Sequence, residues 1–323
     1  MISILEIEGH DTDPCSFYRG REPLAQIARD PKYQVTPMVG NISWAWMSFY
    51  DIVFLQRPAD DYQLNIINLA KSMNKKVWVD YDDDLINIPD THPKDLRIYY
   101  NSKKRIIEQI ISLADVVTVS TENLKEKISK HNKNITVIPN CHNDYIFPLK
   151  YKAKFTNNNK VFWRGNKTHE HDIYVYRDAI NRAVKKNRQF YFLGENFIFL
   201  DKNENVHYES TMSLMDYFMY IKKLNASLLV VPLAENELNF SKSNISWLEG
   251  TYSGSACIIP NFGDFENCPG LKYSNEDMFE YLLNKSEREN LAPYNKDSWE
   301  YICDNLLLSN ANKKRIEIIE SLA

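Results

Sequence analysis

Residues 239–260, NFSKSNISWLEGTYSGSACIIP, read as a loop, an amphipathic helix, a small-residue turn and a buried strand. Ser241, Lys242, Ser243 and Asn244 stand where the helix is expected to begin. A helix N-terminus offers unpaired N–H groups and a partial positive charge, so it suits a phosphate. Lys242 adds a full charge at the same place. Glu249 follows seven residues later, two turns along on the same face, where its carboxylate can accept hydrogen bonds from a ribose. Phosphate at one end and sugar hydroxyls further along make the pattern of a nucleotide-sugar site. Ser and Asn are also ordinary helix-capping residues, and a plain N-cap reads the same way.

Outward from this unit the same alternation continues. The run SLLVVPL at 227–233 is unbroken apolar, as a strand covered on both faces must be. Strand-like segments at 160–164 and 189–193 precede it, with helical stretches at 172–186 and 213–224. In the first half, strands at 2–7, 51–56, 76–80, 116–120 and 135–138 alternate with helices at 23–29, 62–73, 96–113 and 121–130. From residue 276 onward the chain reads as helical and charged. Alternation of this kind predicts an α/β protein with mostly parallel sheets. A Lys- and Asn-rich stretch at 150–160 reads as a linker, so two Rossmann-like, doubly wound domains are expected, 1–148 and 149–304. The carboxyl ends of both sheets would face one cleft, and ligands in open α/β sheets bind at such ends.

Composition narrows the classes further. A chain of 323 residues with a formal charge of −4 has ample core and no overall signature of nucleic-acid binding. With 9 glycines it carries neither a Walker loop nor a GxGxxG fingerprint. Five cysteines, scattered without metal spacing, fit reduced thiols in a cytoplasmic protein. No apolar run reaches the ~18 residues of a membrane span, and no secretion signal is read at the N-terminus. No Ser-His-Asp, Cys-His or HExxH arrangement is present.

Several segments, taken in order, resemble one family. ADVVTVSTENLKEKI at 114–128 followed by ITVIPN, FWRGNKTHEHDI at 162–173, MDYFMYIKKLNASLLVVPL at 215–233 and SKSNISWLEGTYSGSACIIPN at 241–261 are similar to GT-B-fold glycosyltransferases. The likeness is to the retaining nucleotide-sugar enzymes that include sucrose and glycogen synthases. SFYRGREP at 16–23, FLQRP at 54–58 and VDYDDDL at 79–85 resemble a phage and bacterial branch of that group.

The resemblance implies a metal-independent transfer from a nucleoside-diphosphate sugar, UDP favoured, with no other cofactor. It implies Arg164 and Lys242 as the cations that stabilise the leaving diphosphate. Gly165, His169, Asn239, Ser241, Ser243, Asn244 and Glu249 fall at the donor-binding positions. Tyr18, Arg19, Arg57, Asp82 and Asp83 fall on the acceptor side, and a C-terminal helix at 305–323 is expected to return to the first domain. Two departures stand out. Ser241 occupies the position where many members carry a Glu eight residues before the ribose-contacting one. GHDTDPCSFYR at 9–19 replaces the usual glycine-rich first loop.

Each of these residues also has a structural reading. Tyr18, Arg19 and Arg57 bind an anionic acceptor or hold the domain together through buried ion pairs. Thr168 caps a helix that Asp172 complements, or His169 and Asp172 meet a sugar. Asp80, Asp82, Asp83 and Asp84 suggest the D-x-D metal site of the GT-A fold, an acceptor contact, or local scaffolding. The acceptor reads as a glycan, free or lipid-linked, or as a hydroxymethylated base in phage DNA. In the second case Lys103, Lys104, Arg105, Lys125, Lys127 and Lys130 would line a basic groove; otherwise they form a solvated face. A non-catalytic nucleotide-sugar-binding protein and a sugar-nucleotide epimerase of the same fold are the alternatives.

Overall fold

A computed structural model describes residues 1–7, 14–38, 42–147 and 157–323. Part of the expected linker and of the 9–19 segment lies outside the described residues. The first half runs β1 (Ile2–Ile7), α1 (Pro14–Arg19), α2 (Arg21–Ile27), β2 (Tyr33–Met38), α3 (Trp44–Met47) and β3 (Ile52–Gln56). It continues through α4 (Asp61–Ser72), β4 (Lys76–Tyr81), α5 (Lys94–Leu113), β5 (Val116–Val119), α6 (Glu122–Ile128) and β6 (Ile135–Val137). The second half begins with β7 (Lys160–Arg164), α7 (Glu170–Val175), α8 (Arg177–Lys185), β8 (Gln189–Leu193), β9 (Val206–Glu209) and α9 (Leu214–Leu224). Then come β10 (Leu228–Val230), α10 (Glu237–Ser241), α11 (Ile245–Ser253), β11 (Ala256–Pro260) and β12 (Leu271–Tyr273). Helices α12 (Glu276–Lys285), α13 (Ala292–Asn305) and α14 (Leu308–Leu322) follow.

The strands form two six-stranded parallel sheets, ordered β2-β1-β3-β4-β5-β6 and β12-β11-β10-β7-β8-β9. Chain order reverses between β1 and β3 in the first sheet and between β7 and β10 in the second. These are the switch points at which open α/β sheets leave a crevice. The α/β class and the pair of doubly wound sheets are as the sequence predicts.

Helices cover both faces of each sheet, which explains the continuous apolar runs of the central strands. One face of the first sheet packs Leu5, Val53 and Val79 against Ile66, Ile107 and Ile110. Its other face packs Ile4, Phe54 and Trp78 against Leu24 of α2 and against Leu308, Ile318 and Ile319 of α14. The chain thus returns to the first sheet after completing the second. His142 and Leu307 pair side by side where the outgoing and returning segments pass.

Three details depart from the sequence reading. β2, β9 and β12 were not expected; they are three of the four edge strands, which lack the doubly buried run, while the fourth, β6, was expected at 135–138. The expected helix at 172–186 is two helices, α7 and α8, divided at Tyr176. The donor-side helix begins at Ile245, not near Lys242, because 237–241 form a separate short helix and Lys242 is extended (φ −65°, ψ 142°).

Candidate functional site

The loops at the carboxyl ends of both sheets enclose a cleft of about 430 Å³. Arg57, Asp82 and Asp83 reach it from the ends of β3 and β4, with Tyr18 of α1, Asn140 beyond β6 and His92 before α5. Arg164, Asn166 and His169 come from the end of β7 and the loop after it, Val231 and Leu233 from just beyond β10, and Lys242, Ser243 and Glu249 from the α10–α11 region. A second recess of about 220 Å³ adjoins it, lined by Gly165, Gly194, Thr211 and Tyr217. Arg164, Asn166 and Glu249 border both.

Glu249 is the most heavily engaged group at this junction. Arg164 Nε lies 2.6 Å from its Oε2. The Tyr217 hydroxyl donates to the same oxygen at 2.8 Å, and the Tyr18 hydroxyl donates to Oε1 at 2.8 Å. Burial alone would lower the Arg164 pKa, but the Glu249 carboxylate holds it above its ordinary value. Burial, reinforced by the same carboxylate, pushes both tyrosines well up, so they stay protonated donors. Glycine is required beside Arg164: a Cβ on Gly165 would come within 2.5 Å of the Trp163 ring.

The carboxylates that the first half presents to the cleft are also matched. Arg57 Nε sits 3.2 Å from Asp82 Oδ1, and Lys242 Nζ reaches across the cleft to Asp83 Oδ2 at 3.3 Å. Burial would raise the Asp83 pKa, but Lys242 and then Arg57 hold it below the usual carboxylate value. Burial, then Lys242, lowers His92, so its ring is neutral at pH 7. Asp84 turns away to accept from the backbone of Ile86 and Asn87. Among the described residues no group of three or more His, Cys, Asp or Glu is placed to hold a metal ion.

The remaining candidates divide into those that face the cleft and those that brace it. Arg19 grips Asp80 through two nitrogens at 2.9 and 2.7 Å and also donates to the Ile138 carbonyl. Asn239 is buried; its amide donates to Asp172 Oδ1 at 2.8 Å, while Asp172 Oδ2 meets His169 Nδ1 at 2.8 Å. Asn239 therefore orients the carboxylate that orients His169. Ser241 is fully buried, its hydroxyl directed to the Glu237 carbonyl at 3.4 Å. Ser243 accepts from Asn140 at 2.7 Å. The Asn244 N–H, at the start of α11, is taken by Asp264 at 2.9 Å. Burial pushes Asp264 up to about 6, with that N–H opposing.

Sequence reasoning assigned no individual role to Tyr217, His92, Asn140 or Asp264. Tyr217 had a legible signal: it lies one turn before Ile221 on the core-facing stripe of α9, and a buried tyrosine hydroxyl needs a partner. The other three come from loops and connections without periodicity.

Two parallel sheets with opposed carboxyl ends, and a polar cleft between them, constitute the GT-B fold of glycosyltransferases. No family model matches the sequence, and no curated protein matches it. Among solved structures, HepE from Anabaena in complex with UDP-glucose aligns over 99% of this chain and 100% of its own, with a TM-score of 0.74 and 10% identity. Sucrose-phosphate synthase from Thermosynechococcus elongatus aligns over 100% of this chain and 99% of its own, with a TM-score of 0.70 and 10% identity. The catalytic domain of starch synthase IV from Arabidopsis thaliana, bound to ADP and acarbose, aligns over 99% of both chains, with a TM-score of 0.68 and 8% identity. At these identities the likeness is one of fold.

Proposed function

We propose that this chain is a glycosyltransferase that moves a sugar from a nucleoside diphosphate to a hydroxyl acceptor. The observation that carries this reading is the junction of the two recesses, where Arg164 and Glu249 border both spaces. A nucleoside fits the smaller recess, with its ribose hydroxyls at Glu249. The diphosphate and sugar fit the larger one, between Arg164 and Lys242. The glycosidic C1–O bond breaks and its electron pair passes to the leaving phosphate oxygen. Arg164 and Lys242 stabilise that charge, which is the work a divalent metal does elsewhere. The acceptor oxygen bonds C1 from the same face, and its proton passes to the leaving phosphate, which gives retention.

UDP is the favoured carrier, because HepE, which shares this fold, was solved with UDP-glucose; starch synthase IV, solved with ADP, makes ADP the alternative. The first half presents Asp82, Asp83 and the neutral His92 to the acceptor, groups that suit uncharged hydroxyls. Of the basic row, Lys103 is paired with Asp61, Lys125 with Glu122, and Lys127 with Asp84 and Glu237. That leaves less charge for a nucleic-acid backbone and favours a glycan acceptor over DNA.

A thermal-shift panel with UDP, GDP, ADP, dTDP and CMP, with and without Mg²⁺, tests the donor site. A ligand at ~100 times its Kd stabilises by about 2.7 kcal/mol. One diphosphate should stabilise the wild type without metal and do so much less, though measurably, in Lys242→Ala. Stabilisation only with Mg²⁺, or by nothing in the panel, overturns the reading.

A further inference from the structure

The α10 segment that delivers Lys242 is held from both halves: Asn239 bonds Asp172 and the Ala234 carbonyl within its own half, and other groups of the segment bond to the first half. A helix leaves its last carbonyls unpaired, and here those of Phe240 and Ser241 are satisfied from α6 and its N-cap Thr121, while Lys127 of α6 reaches the Glu237 carbonyl at the start of α10. Lys127 Nζ donates to the Glu237 carbonyl, and Asn123 Nδ2 donates to that of Phe240 at 2.7 Å. The Thr121 hydroxyl donates to the Ser241 carbonyl at 3.0 Å while accepting the Leu124 N–H at 3.1 Å. Asn140 then takes Ser243, and Asp83 takes Lys242 itself. From Glu237 to Ser243, contacts from the first half meet the chain at five positions. Gly263 approaches the same Phe240 carbonyl so closely that a Cβ there would stand 2.7 Å from its oxygen and 3.6 Å from Asn123 Nδ2.

Given a diphosphate at Lys242, we infer that α6 is a trans-acting clasp: Thr121, Asn123 and Lys127 set the position of the diphosphate-binding lysine, so that anion affinity depends on contact between the two halves. These are positioning residues, since each acts on the backbone of α10 and none needs to touch the donor. Lys127 is suited to this because its ammonium also meets the buried Asp84 at 3.4 Å and Glu237 at 3.1 Å. It therefore ties the acidic loop after β4 to α10 through one charge. Opening the cleft breaks these contacts together and releases Lys242 from its set position. Ligands that hold the halves together restore it.

The test is a double-mutant cycle with a second readout that needs no ligand. The Asn123→Ala/Lys127→Met variant should weaken UDP binding about tenfold in the wild-type background and less than about twofold in Lys242→Ala. Lys127→Arg should recover most of the loss. Hydrogen exchange on the unliganded protein should show amides 240–246 exchanging at least ~10-fold faster in the variant, with β11 unchanged. Equal losses in both backgrounds, or unchanged exchange at 240–246, overturn the clasp. If the wild type binds no nucleotide, the donor reading fails, and the exchange measurement alone decides whether α6 sets this segment.

Discussion

Two arginines meet carboxylates on opposite sides of the cleft, and they do so differently. Arg19 and Asp80 are sealed, with side chains 0% and 2% exposed, and two guanidinium nitrogens take both carboxylate oxygens. Thr118 adds a further bond to Asp80 at 2.5 Å, and Trp78 locks Thr118 at 2.9 Å. Arg164 keeps 23% of its side chain open and offers Glu249 a single close nitrogen. A charge whose every valence is met by protein builds the domain. A charge left partly open between two recesses can exchange its partner for a ligand. Of the two readings that the sequence left open for Arg19, an anionic acceptor or a buried ion pair, the contrast favours the ion pair, although Arg19 borders the cleft.

The largest effect should come from the sealed pair. Arg19→Ala strands a buried carboxylate, which costs about 3–5 kcal/mol and lowers Tm by on the order of 10 °C, read by calorimetry. Nucleotide affinity of the folded fraction should barely change. Arg164→Ala should do the reverse, losing about 10²–10³ in kcat/KM with less than half the loss in Tm. If both variants lose stability equally and both keep transfer, the two pairs are equivalent and the comparison collapses.

A buried base without an ionic partner sharpens it. Burial pushes the His142 imidazole down to about 4, against Phe147, Tyr252 and Trp299. Between about 6.5 and 4 the unfolded chain binds this proton and the folded chain does not. Stability is therefore full above 6.5 and falls as pH drops, by on the order of 3 kcal/mol. Denaturant melts from pH 7 to pH 4 should show the slope in wild type and a flatter one in His142→Gln.

The smallest effect concerns Asp264, where burial raises the pKa to about 6. Between its ordinary value and 6 the folded state holds the extra proton, so stability is full at low pH and declines as pH rises through 6. Asp264→Asn keeps an acceptor for the Asn244 N–H and should gain about 1–2 kcal/mol at pH 7.5, with little change at pH 4. A lower Tm at pH 7.5 would mean that the N-terminus of α11 favours the carboxylate by more than burial disfavours it.

The layers of this fold were legible because the central strands are covered on both sides. Val77, Val79, Val117, Leu228 and Ile258 are all fully buried, and runs of such residues announce themselves. Three of the four edge strands did not, β9 being only partly buried along its length, whereas β6 was read at 135–138. At the site, the residue types and spacings around Arg164, Lys242 and Glu249 could be read. The break at Lys242 could not, because the carbonyls just before it bond to Thr121 and Asn123, more than a hundred residues away in the chain. Tyr18 on Glu249, 231 positions apart, is a contact of the same kind. Local periodicity carries no record of partners that distant.

The return of α14 to the first sheet has a bearing on synthesis. A ribosome makes β1 to β6 early, yet Ile4, Phe54 and Trp78 receive part of their cover only when residues 308–322 emerge. Until then a nascent chain carries an apolar sheet face in water while the second sheet forms around its own core. The halves are sequential in the gene but nested in time, with the first to be translated the last to be completed. Chaperone contact and aggregation should concentrate in that interval, and truncation within α14 should damage the sheet made first.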